Sequence, residues 1–275
     1  MMNSTKNPRN TKRVIGLGLA ALSMSLTGTV TRADNTTVNS AHLLIPGVVQ
    51  AACVGNAATE FFYTSLRAGR SYEIWFYTPA TERNSSGLNP GWYTNATIDD
   101  DSAFGSPITT VQNQFSGEGG PQNNLYSFNR AVSFQITTAG NYFVRIVEGG
   151  NGGGCYQVSL RETTLFSPWT SRAAGFEGFI EVHNNTNASV NVTLTGYNDM
   201  GVQQGAGVTF AVPANATVFK TAGDAGVPLN IFAGVVLTHD GTFGAISGNI
   251  TTLNGANGLS FDSPFTPRDG NLRGH

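Results

Sequence analysis

A chain of 275 residues is long enough to bury two ordinary cores without metals or many disulfides. Only 12% of it is charged, 34 residues are Gly, and Ser, Thr and Asn crowd between apolar runs, which is the composition of short strands joined by turns and predicts an all-β fold. The formal net charge of −2 excludes a broad basic face for nucleic acid or anionic membrane, and no acidic run forms a solvating tail.

The chain opens with Lys6, Arg9, Lys12 and Arg13, then a short apolar core over 14–26, then Thr31-Arg32-Ala33 as a small-x-small cleavage site. That is the layout of a secretory signal peptide over residues 1–33. Its apolar run is too short to span a bilayer, so export without membrane insertion is expected, to an extracellular or periplasmic location. Cys53 and Cys155 are the only cysteines. In an oxidising compartment they are expected to pair, and two buried free thiols are the alternative. The bridge would close a loop of about 100 residues, to which the chain-entropy model assigns at most about 4–5 kcal/mol.

Alternation with period two marks the first strands. "SYEIWFYTP" sets Tyr72, Ile74 and Phe76 on one face and Glu73, Trp75 and Tyr77 on the other. With the first set in the core, Trp75 and Tyr77 point outward, and "NPGWYTN" adds Trp92 and Tyr93 on a loop. Flat outward rings supply apolar area with polar tips at low entropy cost, which suits stacking on sugars or gripping an extended polypeptide. These four are the candidate contact set. The competing expectation is that Trp75 and Tyr77 are covered by the 95–130 segment or by the second half of the chain. In "TIDDDSAFG", Asp99 and Asp101 are candidate calcium ligands, although the run lacks the spaced oxygens and closing Glu of an EF-hand loop. A solvated turn is the alternative.

Further strands follow in "AVSFQI" (Val132, Phe134, Ile136), "NYFVRIVE" (Tyr142, Val144, Ile146) and "CYQVSLRE" (Tyr156, Val158, Leu160, with Gln157, Ser159 and Arg161 opposite). Several half-buried strands at short spacing make an antiparallel sandwich. The glycines of "EGGNGGGC" fall between two strands, with no helix after them and no Gly-Lys-Ser/Thr, so they are read as a hairpin connection rather than a phosphate cradle.

Two stretches carry a family resemblance. "TSLRAGRSYEIWF" and "ITTAGNYFVRIVEGGNGGGCYQVSL" resemble the opening strand pair and closing hairpin of bacterial pre-peptidase C-terminal domains, over about residues 55–162. The resemblance implies a small extracellular jelly-roll sandwich of a kind usually attached to secreted hydrolases, some members binding collagen or polysaccharide. The middle, residues 94–129, departs from the family in being longer and more polar.

"TTLFSPWTSR" contains Pro168 and reads as a linker over 164–172. Beyond it, "GFIEVHNNTNASVNVTLTGYNDMG" places Val190, Val192 and Leu194 on one face of a second sandwich over 173–267, with Asp240-Gly241 as a hairpin signal and residues 268–275 as a tail. "SVNVTLTGYNDMG" and "GLSFDSPFTPR" resemble Ig-like bacterial modules, at the level of fold alone. The four histidines stand at no metal-ligand spacing, His239 is read as an exposed turn residue, and no Gly-x-Ser-x-Gly elbow occurs. The expectation is therefore a secreted, non-catalytic protein of two tandem antiparallel β-sandwiches, jelly-roll-like then Ig-like. It would bind an extracellular polysaccharide or protein. The alternative is a structural or assembly component of the envelope that meets only protein partners.

Overall fold

The computed structural model describes residues 35–54, 58–78, 94–113, 128–148 and 154–267. Residues 1–33, read above as a signal peptide, Trp92, Tyr93 and the expected 268–275 tail lie outside the described residues. The first half forms β1 (His42–Leu43), β2 (Gln50–Val54), β3 (Thr59–Leu66), β4 (Arg70–Thr78), β5 (Thr94–Asp99), β6 (Thr109–Asn113), β7 (Phe128–Ile136), β8 (Gly140–Glu148) and β9 (Gly154–Glu162). The second forms β10 (Leu165–Ser171), β11 (Phe176–Asn184), β12 (Val190–Asn198), β13 (Gln203–Val212), β14 (Thr217–Thr221), β15 (Phe232–His239), β16 (Ile246–Asn254), β17 (Leu259–Pro264) and β18 (Thr266–Pro267). Sheet A has the order β1-β3-β8-β5-β6 and sheet B β2-β9-β4-β7; sheet C is β13-β12-β15-β10-β18 and sheet D β14-β11-β16-β17. The protein is all-β, as its composition predicts. One strand departs from the antiparallel rule: β1 runs parallel to β3.

Sheets A and B enclose one core, built from the faces that period two selects: Tyr72, Ile74 and Phe76 of β4, Tyr142, Val144 and Ile146 of β8, and Tyr156, Val158 and Leu160 of β9. Fully burying a side chain of this size contributes about 1.5–3 kcal/mol, so these strands are held by their inward residues. Phe76 stacks on Tyr156 at 5.4 Å, and Tyr72 on Phe134 at 6.1 Å. The two Ala-Gly stretches that precede a Tyr share a device. The Tyr72 hydroxyl accepts the Arg67 N–H at 3.1 Å, while the Tyr142 hydroxyl donates to the Thr138 carbonyl at 2.5 Å. Each tyrosine thus ties its strand back to the turn before it, and Gly69 supplies the positive φ of 67° that the first of these turns requires.

Sheets C and D enclose a second core, which includes Val190, Val192 and Leu194 of β12, Ile180 and Val182 of β11, and Val235 and Leu237 of β15. The stretch expected to link the halves is instead β10, a strand of sheet C paired to β15 and β18. Pro168 is tolerated because the register with β15 shifts between Ser167 and Thr170, a bulge where no ladder donor is needed. Both predicted hairpins are also corrected. The segment after β8 joins sheet A to sheet B, and Asp240-Gly241 lies on the passage from β15 in sheet C to β16 in sheet D. In these sandwiches most connections cross between sheets, so glycine-rich turns mark crossings more often than hairpins.

Cys53 and Cys155 face one another across β2 and β9 and form the expected disulfide, closing a sequence separation of 102 residues. The double substitution Cys53→Ser/Cys155→Ser is expected to lower unfolding free energy by about 2–5 kcal/mol, read from urea denaturation. An unchanged midpoint would show that the bridge constrains nothing.

Candidate functional site

The solvent side of sheet B carries the expected aromatic pair. Strand parity turns Glu73, Trp75 and Tyr77 away from the core, and the pairing sets them opposite Arg161, Ser159 and Gln157 of β9. The rings of Trp75 and Tyr77 are parallel to within 3° with centroids 5.8 Å apart. They are half-buried rather than fully outward. Beside them the Arg161 guanidinium lies 5.9 Å from the Trp75 ring and 5.7 Å from the ring of Phe243, an exposed residue of the second sandwich. Tyr77, Trp75, Arg161 and Phe243 therefore form one strip that starts on the first sandwich and ends on the second. Its chemistry is flat apolar area with a cation held between aromatic faces, an arrangement favourable to each ring it touches.

The position of Phe243 is set by a polar seam. The Glu73 carboxylate, 3% exposed, accepts the Phe243 N–H at 2.7 Å. Ser133, directly opposite Glu73 on β7, donates its hydroxyl to the Gly241 carbonyl at 2.6 Å. Ser71 accepts from the Thr163 hydroxyl at 2.9 Å and from the His239 N–H at 3.4 Å, and its own N–H donates to the Thr164 hydroxyl at 2.9 Å. These are small side chains on β4 and β7, placed where the 239–243 segment crosses from sheet C to sheet D.

His239 corrects the sequence reading: it is 1% exposed, buried in this seam. Burial pushes its pKa below the ordinary 6.5, while the facing backbone of Thr163 and Gly241 and the charge of Asp240 act in the opposite direction. Its Nδ1 has no hydrogen-bond partner among the described residues. A second buried titratable pair lies in the first core. There the Tyr156 hydroxyl donates to the Glu60 carboxylate, tying β9 to β3 across the two sheets. Burial raises the Glu60 pKa above 4.5, against the lowering effects of the Tyr156 bond and of His42.

Asp99 and Asp101 sit at the end of β5, where they shape the loop to β6. Asp99 is 0% exposed, and its two oxygens accept the N–H groups of Asp101 at 3.2 Å and Ser106 at 3.3 Å. Asp101 accepts the Ala103 N–H at 2.9 Å. The turn returns Phe104 to the sandwich with a positive φ of 54°, its ring 4.5 Å from the Arg145 guanidinium. The carboxylates are thus committed to backbone amides, and among the described residues no three His, Cys, Asp or Glu side chains are grouped to hold a metal.

Sequence reasoning placed Trp75 and Tyr77 outward by parity but did not find Arg161 or Phe243 as their companions. Arg161 carried a usable signal, since it shares the outward parity of β9. Phe243 carried none, because a loop residue from the other sandwich has no periodicity to read.

The seam should respond to acid. The unfolded chain protonates His239 at higher pH than the fold does, so stability falls as pH drops below 6.5 toward the depressed folded value. Glu60 acts with the opposite sign: the fold holds its proton to higher pH, so its contribution is greatest in acid and is lost as pH rises past 4.5. In urea titrations between pH 7.5 and 5, His239→Gln is expected to remove the acid-side fall, and Glu60→Gln to raise stability at neutral pH while keeping an acceptor for Tyr156. Parallel pH profiles for wild type and His239→Gln would contradict the assignment.

The chain matches no protein-family model and no curated protein.

Proposed function

We propose that this is an exported, non-catalytic binding protein that recognises an extracellular polymer, polysaccharide or polypeptide, along the strip formed by Tyr77, Trp75, Arg161 and Phe243. The observation that carries the reading is the continuity of that strip across two separate cores, held in register by the Glu73–Phe243 and Ser133–Gly241 hydrogen bonds. An elongated ligand gains contact with both sandwiches from such a surface, whereas a small molecule would use only one end. The Cys53–Cys155 bridge agrees with export to an oxidising compartment. The resemblance of residues 55–162 to pre-peptidase C-terminal domains, some of which bind collagen or polysaccharide, supports the same reading. Trp92 and Tyr93 remain part of the proposed contact set on the sequence argument alone.

The test is retention of the purified protein, lacking residues 1–33, on insoluble polysaccharides and on collagen. Trp75→Ala/Tyr77→Ala is expected to weaken retention by about tenfold or more, the scale of losing buried aromatic anchors, and Phe243→Ala to weaken it less. Chelation of calcium is expected to leave retention unchanged, since Asp99 and Asp101 serve the loop. Full retention by the double variant would remove the strip from consideration, and no retention of the wild type on any polymer would favour an assembly role among protein partners.

A further inference from the structure

The solvent face of sheet D has a different character from the strip on sheet B. Register places Phe179 of β11 between Thr221 of β14 and Thr251 of β16, and places Glu181, two residues on, between Phe219 of β14 and Asn249 of β16. All of these side chains therefore share one face. Phe219 is 70% exposed and Phe179 46%, and Leu253 on the neighbouring strand is exposed as well. Single exposed apolar residues are ordinary, but two phenylalanines set diagonally about one carboxylate on a sheet face form a patch.

The charge left without a partner on this face is negative. Glu181 is exposed, and its carboxylate makes no hydrogen bond or ion pair among the described residues. Asp262, opposite Thr251, accepts from the hydroxyl of Thr251 at 2.7 Å and from Asn249 at 3.3 Å. Glu177 is already matched by Arg172 at 2.9 Å. The one lysine of β14, Lys220, points to the other side, where its ammonium lies 5.0 Å from the Phe210 ring.

We propose that this face is a docking site for a cationic segment of a partner polypeptide, with a Lys or Arg of the partner over Glu181 and its aliphatic stem against Phe179 and Phe219. The chemistry follows from the arrangement. A carboxylate flanked by two aromatic rings offers a cation both charge and ring faces, and the rings bury the methylene stem of a long basic side chain. A second copy of this chain is a poor occupant. Its net charge is −2. Arg70 bridges Glu162, Arg145 lies over Phe104, Arg161 is held between Trp75 and Phe243, and Lys220 lies over Phe210. Few described cations are left to offer a partner copy. The site is independent of the strip on sheet B, and either reading can fail without the other.

The test is fluorescence anisotropy of the purified protein with a labelled hexalysine peptide, its fully Nζ-acetylated form and a hexaglutamate peptide. Glu181→Gln and Phe219→Ala, both at exposed positions, are expected to preserve the thermal midpoint. Each is expected to weaken hexalysine binding by about tenfold, the loss of one charge or one ring from a shared contact. Trp75→Ala should leave that binding unchanged, and neither the acetylated nor the acidic peptide should bind. The proposal is overturned if both variants bind hexalysine as wild type does, or if the acetylated peptide binds equally well. Concentration-dependent dimerisation in sedimentation that Phe219→Ala abolishes would overturn it in favour of self-association.

Discussion

The buried Glu73 carboxylate and the Phe243 amide that it accepts fix where the second sandwich meets the first, and with it what the solvent side of sheet B presents. A carboxylate removed from water is costly unless its oxygens are bonded, and a hydrogen bond to an ionised group contributes about 1.5–3 kcal/mol. Glu73 therefore disfavours any arrangement of the sandwiches that withdraws the Phe243 N–H. The Ser133–Gly241 and Ser71–His239 bonds act in the same sense. None of these contacts is large in apolar area, so the seam specifies orientation more than it adds stability, and the aromatic strip inherits that orientation.

The two cores and the seam divide the physical work. Inside each sandwich, burial of residues such as Ile74, Val144, Val192 and Leu237 supplies the stabilising free energy. Between them, polar groups that must find partners set the geometry. His239 belongs to both: its strand contributes to the second core, while its N–H donates to Ser71 of the first sandwich. Protonating its imidazole puts a charge into a buried site, a cost that Thr163, Gly241 and Asp240 offset only in part, so the segment that positions Phe243 is also sensitive to acid.

Much of the fold was legible because period two is a local property. The inward sets of β4, β8, β9 and β12 can be counted from the sequence, and so can the outward parity of Trp75 and Tyr77. What parity cannot show is which sheet the next strand joins. Glycine-rich and Asp-Gly turns signal a change of direction whether the chain returns beside itself or crosses to the facing sheet, so both predicted hairpins were crossings. Pro168 misled for a related reason: a missing N–H argues against a strand only where the ladder needs that donor, and at a bulge it does not. His239 and Phe243 were illegible because their surroundings come from residues about 170 positions earlier in the sequence, as the Glu73–Phe243 bond shows.

The bridge between β2 and β9 has a mechanical meaning. It joins β2, the first strand of sheet B in chain order, to β9, the strand through which the chain leaves for the second sandwich. A pull applied between residue 50 and the second sandwich travels from β2 through the sulfurs into β9, and the intervening strands carry none of the load. Once the bond is cut, the same pull can draw out the 102-residue separation. At about 3.3 Å per residue that is roughly 340 Å of slack. The bridge thus caps how far the first sandwich can be drawn out under load, a limit that burial in its core alone does not set.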